Sequence, residues 1–129
     1  MDVAFRRIAR GQTMTDKIKI SNLYKVFGKN PSGAMDHVRK GASKQELLDN
    51  HGHVLGLRDI NIDIPERQIQ VIMGLSGSGK STLIRHINRL IEPTEGKVVV
   101  DGVDVLQMSA DDLREFRRHK QSMVFQTFA

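Results

Sequence analysis

Residues 17–20 read Lys-Ile-Lys-Ile, the two-residue period of a strand with one face buried. The alternation returns at residues 57–64, with Ile60, Ile62 and Ile64 on one side and Asp59, Asn61 and Asp63 on the other, until Pro65 stops it. These two segments predict a sheet with one wet face. Residues 69–73 are dense in apolar side chains without clean alternation, which predicts a strand buried on both faces. Leu83, Ile84, Ile87, Leu90 and Ile91 then recur at helical spacing, with Arg85 and Arg89 pointing away, and Glu92-Pro93 ends the helix. His86 lies off that stripe and is expected in solvent.

Farther along, residues 97–101 and 103–105 flank Asp101-Gly102, a tight hairpin signal. Ser109 with Asp112 opens a second amphipathic helix carrying Leu113 and Phe116, and residues 122–126 read as another buried strand. Residues 1–15 show no period and are expected to be a flexible leader, with the folded part running over 16–129. Within it, residues 29–54 shift in composition and read as an insert between two strands. The insert opens with loop chemistry, and Ser43-Lys-Gln-Glu46 ahead of Leu47 and Leu48 has the form of a capping box on a short helix. The order strand, glycine loop, helix is the start of an α/β unit, and no internal repeat is present.

Composition narrows the picture. With 129 residues and 39% hydrophobic content there is material for one core. No cysteine is present, which removes disulfides and thiolate metal sites, and His51 with His53 is too thin for zinc. No apolar run is long enough for a signal peptide or a membrane span, so the chain reads as soluble and intracellular. The net charge of +5 is scattered and aromatics are only 5%, so a nucleic-acid partner is not expected.

The candidate chemistry lies at residues 74–81, Gly-Leu-Ser-Gly-Ser-Gly-Lys-Ser, which match the phosphate-binding P-loop at every fixed position, between a predicted strand and a predicted helix. Backbone N–H groups must converge on a polyphosphate, and side chains at Gly77 and Gly79 would obstruct the approach. The helix opening near Lys80 offers unpaired N–H groups and the positive end of its dipole. Lys80 adds a full charge for the β- and γ-phosphates, and the Ser81 hydroxyl suits Mg²⁺. Gly74, Leu75, Ser76, Gly77, Ser78, Gly79, Lys80, Ser81 and Thr82 form the expected cradle, with ATP and Mg²⁺ as cofactors.

The surrounding wording is more specific than the loop. The segment from Leu75 to Leu83, Glu92-Pro-Thr-Glu-Gly-Lys-Val after its helix, and Asp101-Gly-Val-Asp together resemble the ATP-binding domain of ABC transporters. Met123-Val-Phe-Gln126 is similar to that family's Q-loop strand, and Lys25-Val-Phe27-Gly28 to its A-loop. The insert, the wording of residues 71–81 and Arg89-Leu-Ile-Glu-Pro-Thr resemble the ATP-binding subunits of glycine betaine and proline betaine importers. The resemblance implies a P-loop NTPase fold of the α/β class with an antiparallel β part at its N-terminus. It makes Phe27 the aromatic that stacks on adenine, Lys80 and Gln126 the catalytic contributors, and Ser81 and Gln126 the groups at Mg²⁺. Tyr24, three residues earlier, competes with Phe27 for the stacking role, and the lesser alternative for Phe27 is a core residue that closes the first strand.

It further implies permease subunits in the membrane as partners, a second copy bound head-to-tail, and a place on the cytoplasmic face of the cell membrane. The family's signature segment, its Asp-Glu strand and its switch histidine do not occur before Ala129. The expectation is therefore an N-terminal part of such a domain, ending after the Q-loop, which binds ATP without turning it over by itself. A non-catalytic nucleotide-binding or regulatory module is the competing reading, and a P-loop kinase a more distant one.

Overall fold

The computed structural model describes residues 4–5 and 15–126. Its centre is a pair of long antiparallel strands, β2 (Asp16–Phe27) and β3 (Val54–Pro65), following the two-residue pair β1 (Ala4–Phe5). Strand β5 (Glu95–Val100) lies antiparallel on the other side of β2, and β6 (Val103–Asp104) completes the order β3-β2-β5-β6. The register opposes Ile20 to Ile62 on one side and Val98 on the other. All three are buried, so the predicted alternation sets the core face of the sheet. Asp101 and Gly102 turn the β5–β6 hairpin with φ of +51° and +77°, the pair of left-handed residues that a tight turn of this twist requires.

The insert contains two helices, not one: α1 (Pro31–Arg39) and α2 (Lys44–His51). The first was missed because Asn30-Pro31-Ser-Gly reads as a loop, whereas Asn30 caps α1 by accepting from the Gly33 N–H with Pro31 in the first turn. The Ser43–Glu46 capping box on α2 is present with both of its hydrogen bonds. Ala34, Met35, Val38 and Leu47 pack with Val26 and Leu55 into a small core over one end of β2 and β3.

The larger core joins the sheet to α3 (Lys80–Ile87) and α4 (Ala110–Lys120) through Leu83, Leu113 and Phe116, with Val105 of the 3-10 turn Val105–Gln107 beside them. Ser109 caps α4 through the Asp112 N–H, as its position predicts. The guanidinium of Arg117 donates from Nε to the Asn88 carbonyl at 2.9 Å and from Nη2 to that of Arg89 at 2.7 Å, so α4 caps the end of α3.

Four expectations are corrected. The strand at residues 69–73 shrinks to β4 (Ile72–Met73), and Ile69 is 93% exposed. Dense apolar content encodes burial only where other layers supply cover, and β4 pairs with β1 alone. Residues 122–126 form no strand, and Val124 is 96% exposed, because no neighbour among the described residues pairs with them. His86 is buried and Ile84 is exposed, which rotates the apolar stripe of α3 by one position. Arg89 does not point away: its Nη1 donates to the carbonyls of Met108 at 2.9 Å and Val105 at 3.3 Å, and it pairs with Glu92. Apart from Ala4–Phe5, the expected leader lies outside the described residues.

Candidate functional site

The glycine loop and the start of α3 form the floor of a cleft. The Ser78 N–H donates to the Leu75 carbonyl at 3.0 Å, tightening the loop, while Gly77 and Gly79 hold φ of +75° and +95°. A side chain at either position would carry the strain of the left-handed region. Gly79 is the N-cap of α3 and supplies no side-chain hydrogen bond, whereas Ser43 and Ser109 cap α2 and α4. The first-turn N–H groups of α3 are therefore left to an external acceptor, at the positive end of the helix dipole.

Lys80 folds over the loop. Its Nζ donates to the carbonyls of Gly74 at 2.7 Å and Leu75 at 2.8 Å, with Ser78 Oγ at 3.4 Å. The cleft, about 250 Å³, is lined by Gly77, Gly79, Lys80, Ser81 and Thr82 on one side and by Phe27, Val54, Leu55 and Gly56 on the other. Lys44 of the insert completes the wall. None of these lining residues is a carboxylate, so the lining charges are both positive, as a polyphosphate requires.

Phe27 is brought to the P-loop although the two lie about fifty positions apart in the chain, because β2 and β3 run antiparallel and end beside it. The Lys25 ammonium sits 5.0 Å from the centre of its ring, and a Cβ on Gly56 would come within 2.7 Å of its Cε2. The ring is thus fixed between a cation and a bare backbone. Tyr24 packs instead against the insert core and is not among the residues lining the cleft. Gln126 is exposed and also outside that lining. The geometry gathers Phe27 with the P-loop and leaves Gln126 apart.

His86 beside the P-loop is another residue that sequence reasoning misjudged. Its Nδ1 donates to the Thr82 carbonyl at 2.7 Å, one turn back on α3, and its Nε2 is buried with no hydrogen-bond partner among the described residues. Burial pushes its pKa below the ordinary 6.5, the bond to Thr82 opposes this, and the charge of Lys25 adds to the lowering. A histidine one turn after the P-loop threonine is the only signal in the chain, and it does not reveal which way the ring faces.

The residues suit ATP: uncapped N–H groups, an ammonium over the loop, and an aromatic at the far wall. For Mg²⁺ the lining offers no carboxylate but the hydroxyls of Ser81 and Thr82, compatible with an ion that takes its other ligands from phosphate and water.

The family described as ABC transporter matches residues 57–129. The chain belongs to that family. It is 53% identical over 116 residues to the glycine betaine/proline betaine transport system ATP-binding protein ProV of Salmonella typhimurium, covering 90% of this chain and 29% of that protein. The methionine import ATP-binding protein MetN of Desulfitobacterium hafniense is 55% identical over 75 residues, 58% of this chain and 22% of the relative. The chain thus spans less than a third of the length of these relatives. Among solved structures, a dimeric post-hydrolysis state of the ATP-binding cassette MJ0796 bound to ADP and Pi superposes with a TM-score of 0.55 at 28% identity, covering 78% of this chain and 35% of that one. The fold is that of an ABC ATPase domain, α/β with an antiparallel part, as the sequence predicts. Among the described residues no helix is long and apolar enough to cross a membrane.

Proposed function

We propose that this chain binds ATP with Mg²⁺ and belongs to the ATP-binding subunit of an importer of glycine betaine or proline betaine. The observation that carries the nucleotide reading is the uncapped start of α3 facing Phe27 across one cleft. The P-loop N–H groups and Lys80 hold the β- and γ-phosphates, Ser81 faces Mg²⁺, and Phe27 stacks on the base. When bound, Mg²⁺ would offset phosphate charge and orient the phosphoryl group.

The osmolyte assignment is supported by how far the likeness to ProV extends. It covers 90% of the chain, too much to leave out the insert, against 58% for the methionine relative. Membrane permease subunits, a second copy of the ATP-binding subunit and a peripheral position on the cytoplasmic face of the membrane complete the reading, with Gln126 as the link toward them and toward Mg²⁺. Because no carboxylate lines the cleft among the described residues to polarise water, this chain by itself is expected to bind nucleotide without sustained hydrolysis.

Titration with a fluorescent ATP analogue tests the site. Lys80→Ala removes charge-assisted bonds to phosphate and is expected to weaken binding by about 1.5–3 kcal/mol. Equal affinity of the two proteins would overturn the nucleotide reading.

A further inference from the structure

The insert contributes one charged side chain to the cleft, Lys44, and the backbone that carries it is held from two sides. Arg58 of β3 donates to the Ala42 carbonyl just before α2, and the Ser43–Glu46 box closes the first turn. The N-terminal end of α2 is therefore fastened to the strand that forms the cleft wall. Lys44 is the first residue of that helix, where the dipole disfavours a cation. Its ammonium has no hydrogen-bond or ion-pair partner among the described residues, which is also true of Lys29, Lys40 and Lys97, but those three do not line the cleft. A cation that gains nothing from its own fold, yet lines the same cleft as Lys80, is placed for a ligand.

We propose that Lys44 is a second phosphate-binding cation of the nucleotide site, supplied by the insert and directed at the α-phosphate; this rests on the nucleotide reading above. Lys44 lines both the cleft and the adjoining groove of Leu55, Gly56 and Arg58, so it stands on the β3 side and not over the loop. A nucleotide with its base on Phe27 and its β-phosphate in the P-loop runs its ribose and α-phosphate along that wall. The α-phosphate is the anionic group of that stretch. The insert then becomes part of the binding site, and nucleotide bridges it to the P-loop.

Calorimetric titration of the 129-residue chain with Mg-ADP and with inorganic pyrophosphate tests this, using wild type, Lys44→Ala, Lys44→Arg and Lys80→Ala. Pyrophosphate reaches the P-loop without occupying the wall beside β3. Lys44→Ala is expected to weaken ADP about three- to tenfold, the range of a partly exposed charged contact, and to leave pyrophosphate unchanged. Lys44→Arg should restore most of the ADP affinity, and the salt dependence of ADP binding should be shallower in Lys44→Ala. Unchanged ADP affinity in Lys44→Ala overturns the proposal, as does an equal loss for pyrophosphate, which would mean an unlocalised field. If Lys80→Ala matches wild type with both ligands, the nucleotide reading itself fails and this proposal with it. A loss in Lys80→Ala alone overturns only the role of Lys44.

Discussion

The two ends of the molecule are built differently. Around β2, β3 and β5 the apolar residues are covered: Leu23, Leu57 and Val98 are fully buried, and the insert closes a second small core over Val26 and Leu55. Around β4 and residues 122–126 apolar side chains are left largely in the open: Ile72 packs partly on the core, but Ile69, Leu75 and Val124 are each more than 85% exposed. The helix starts follow the same divide, since α2 and α4 are capped from within while α3 is not. Local saturation marks the part that holds shape, and unmet valence marks the part that meets something else.

The widest contrast is expected in stability. Leu57→Ala leaves a cavity in the covered sheet and should cost about 2–5 kcal/mol, read from denaturant unfolding. Ile69→Ser, in the uncovered segment before β4, should stay within about 0.5 kcal/mol of wild type. Comparable losses in the two variants would erase the divide.

The second contrast separates two aromatics three positions apart. Phe27→Ala should weaken ATP by about 1–3 kcal/mol, the range for base stacking, with GTP affected alike. Tyr24→Ala should instead lower stability and leave nucleotide affinity alone, since Tyr24 packs on the insert core. Competition titrations paired with thermal unfolding read both. The reverse pattern would transfer the stacking role to Tyr24.

The smallest effect lies in α3, where burial holds the His86 pKa below 6.5. The folded protein therefore keeps the ring neutral and binds fewer protons than the unfolded chain does. The stability gained is present above about pH 6.5 and fades as pH falls below it toward the folded value. Thermal midpoints at pH 7.5 and 5.5 should fall farther apart in wild type than in His86→Leu, which keeps every carboxylate. Equal drops would mean that the ring is reached by water.

The sequence revealed most where the information is local. The P-loop, the Ser43–Glu46 box, the Ser109 cap and the Asp101-Gly102 turn each depend on residues within a few positions of one another, and each is present in the structure. Arg89 and Arg117 were misread or unseen because their partners are distant backbone carbonyls, those of Val105 and Met108 for Arg89 and those of Asn88 and Arg89 for Arg117, and His86 because its burial depends on packing that its own helix does not encode. Residues 69–73 show a further limit: apolar density declares an affinity for cover, and cannot state whether the cover is in the same stretch of chain.

The bonds of Lys80 to Gly74, Leu75 and Ser78 make phosphate capture an exchange of partners. Each acceptor that a ligand brings must outcompete a carbonyl already in place. A lone monovalent anion offers too little to dislodge the ammonium, whereas a di- or triphosphate replaces all three contacts at once and adds the field of several charges. On the proposed nucleotide reading, the loop would act as a threshold, discriminating by how many oxygens arrive together and not merely by the sign of their charge.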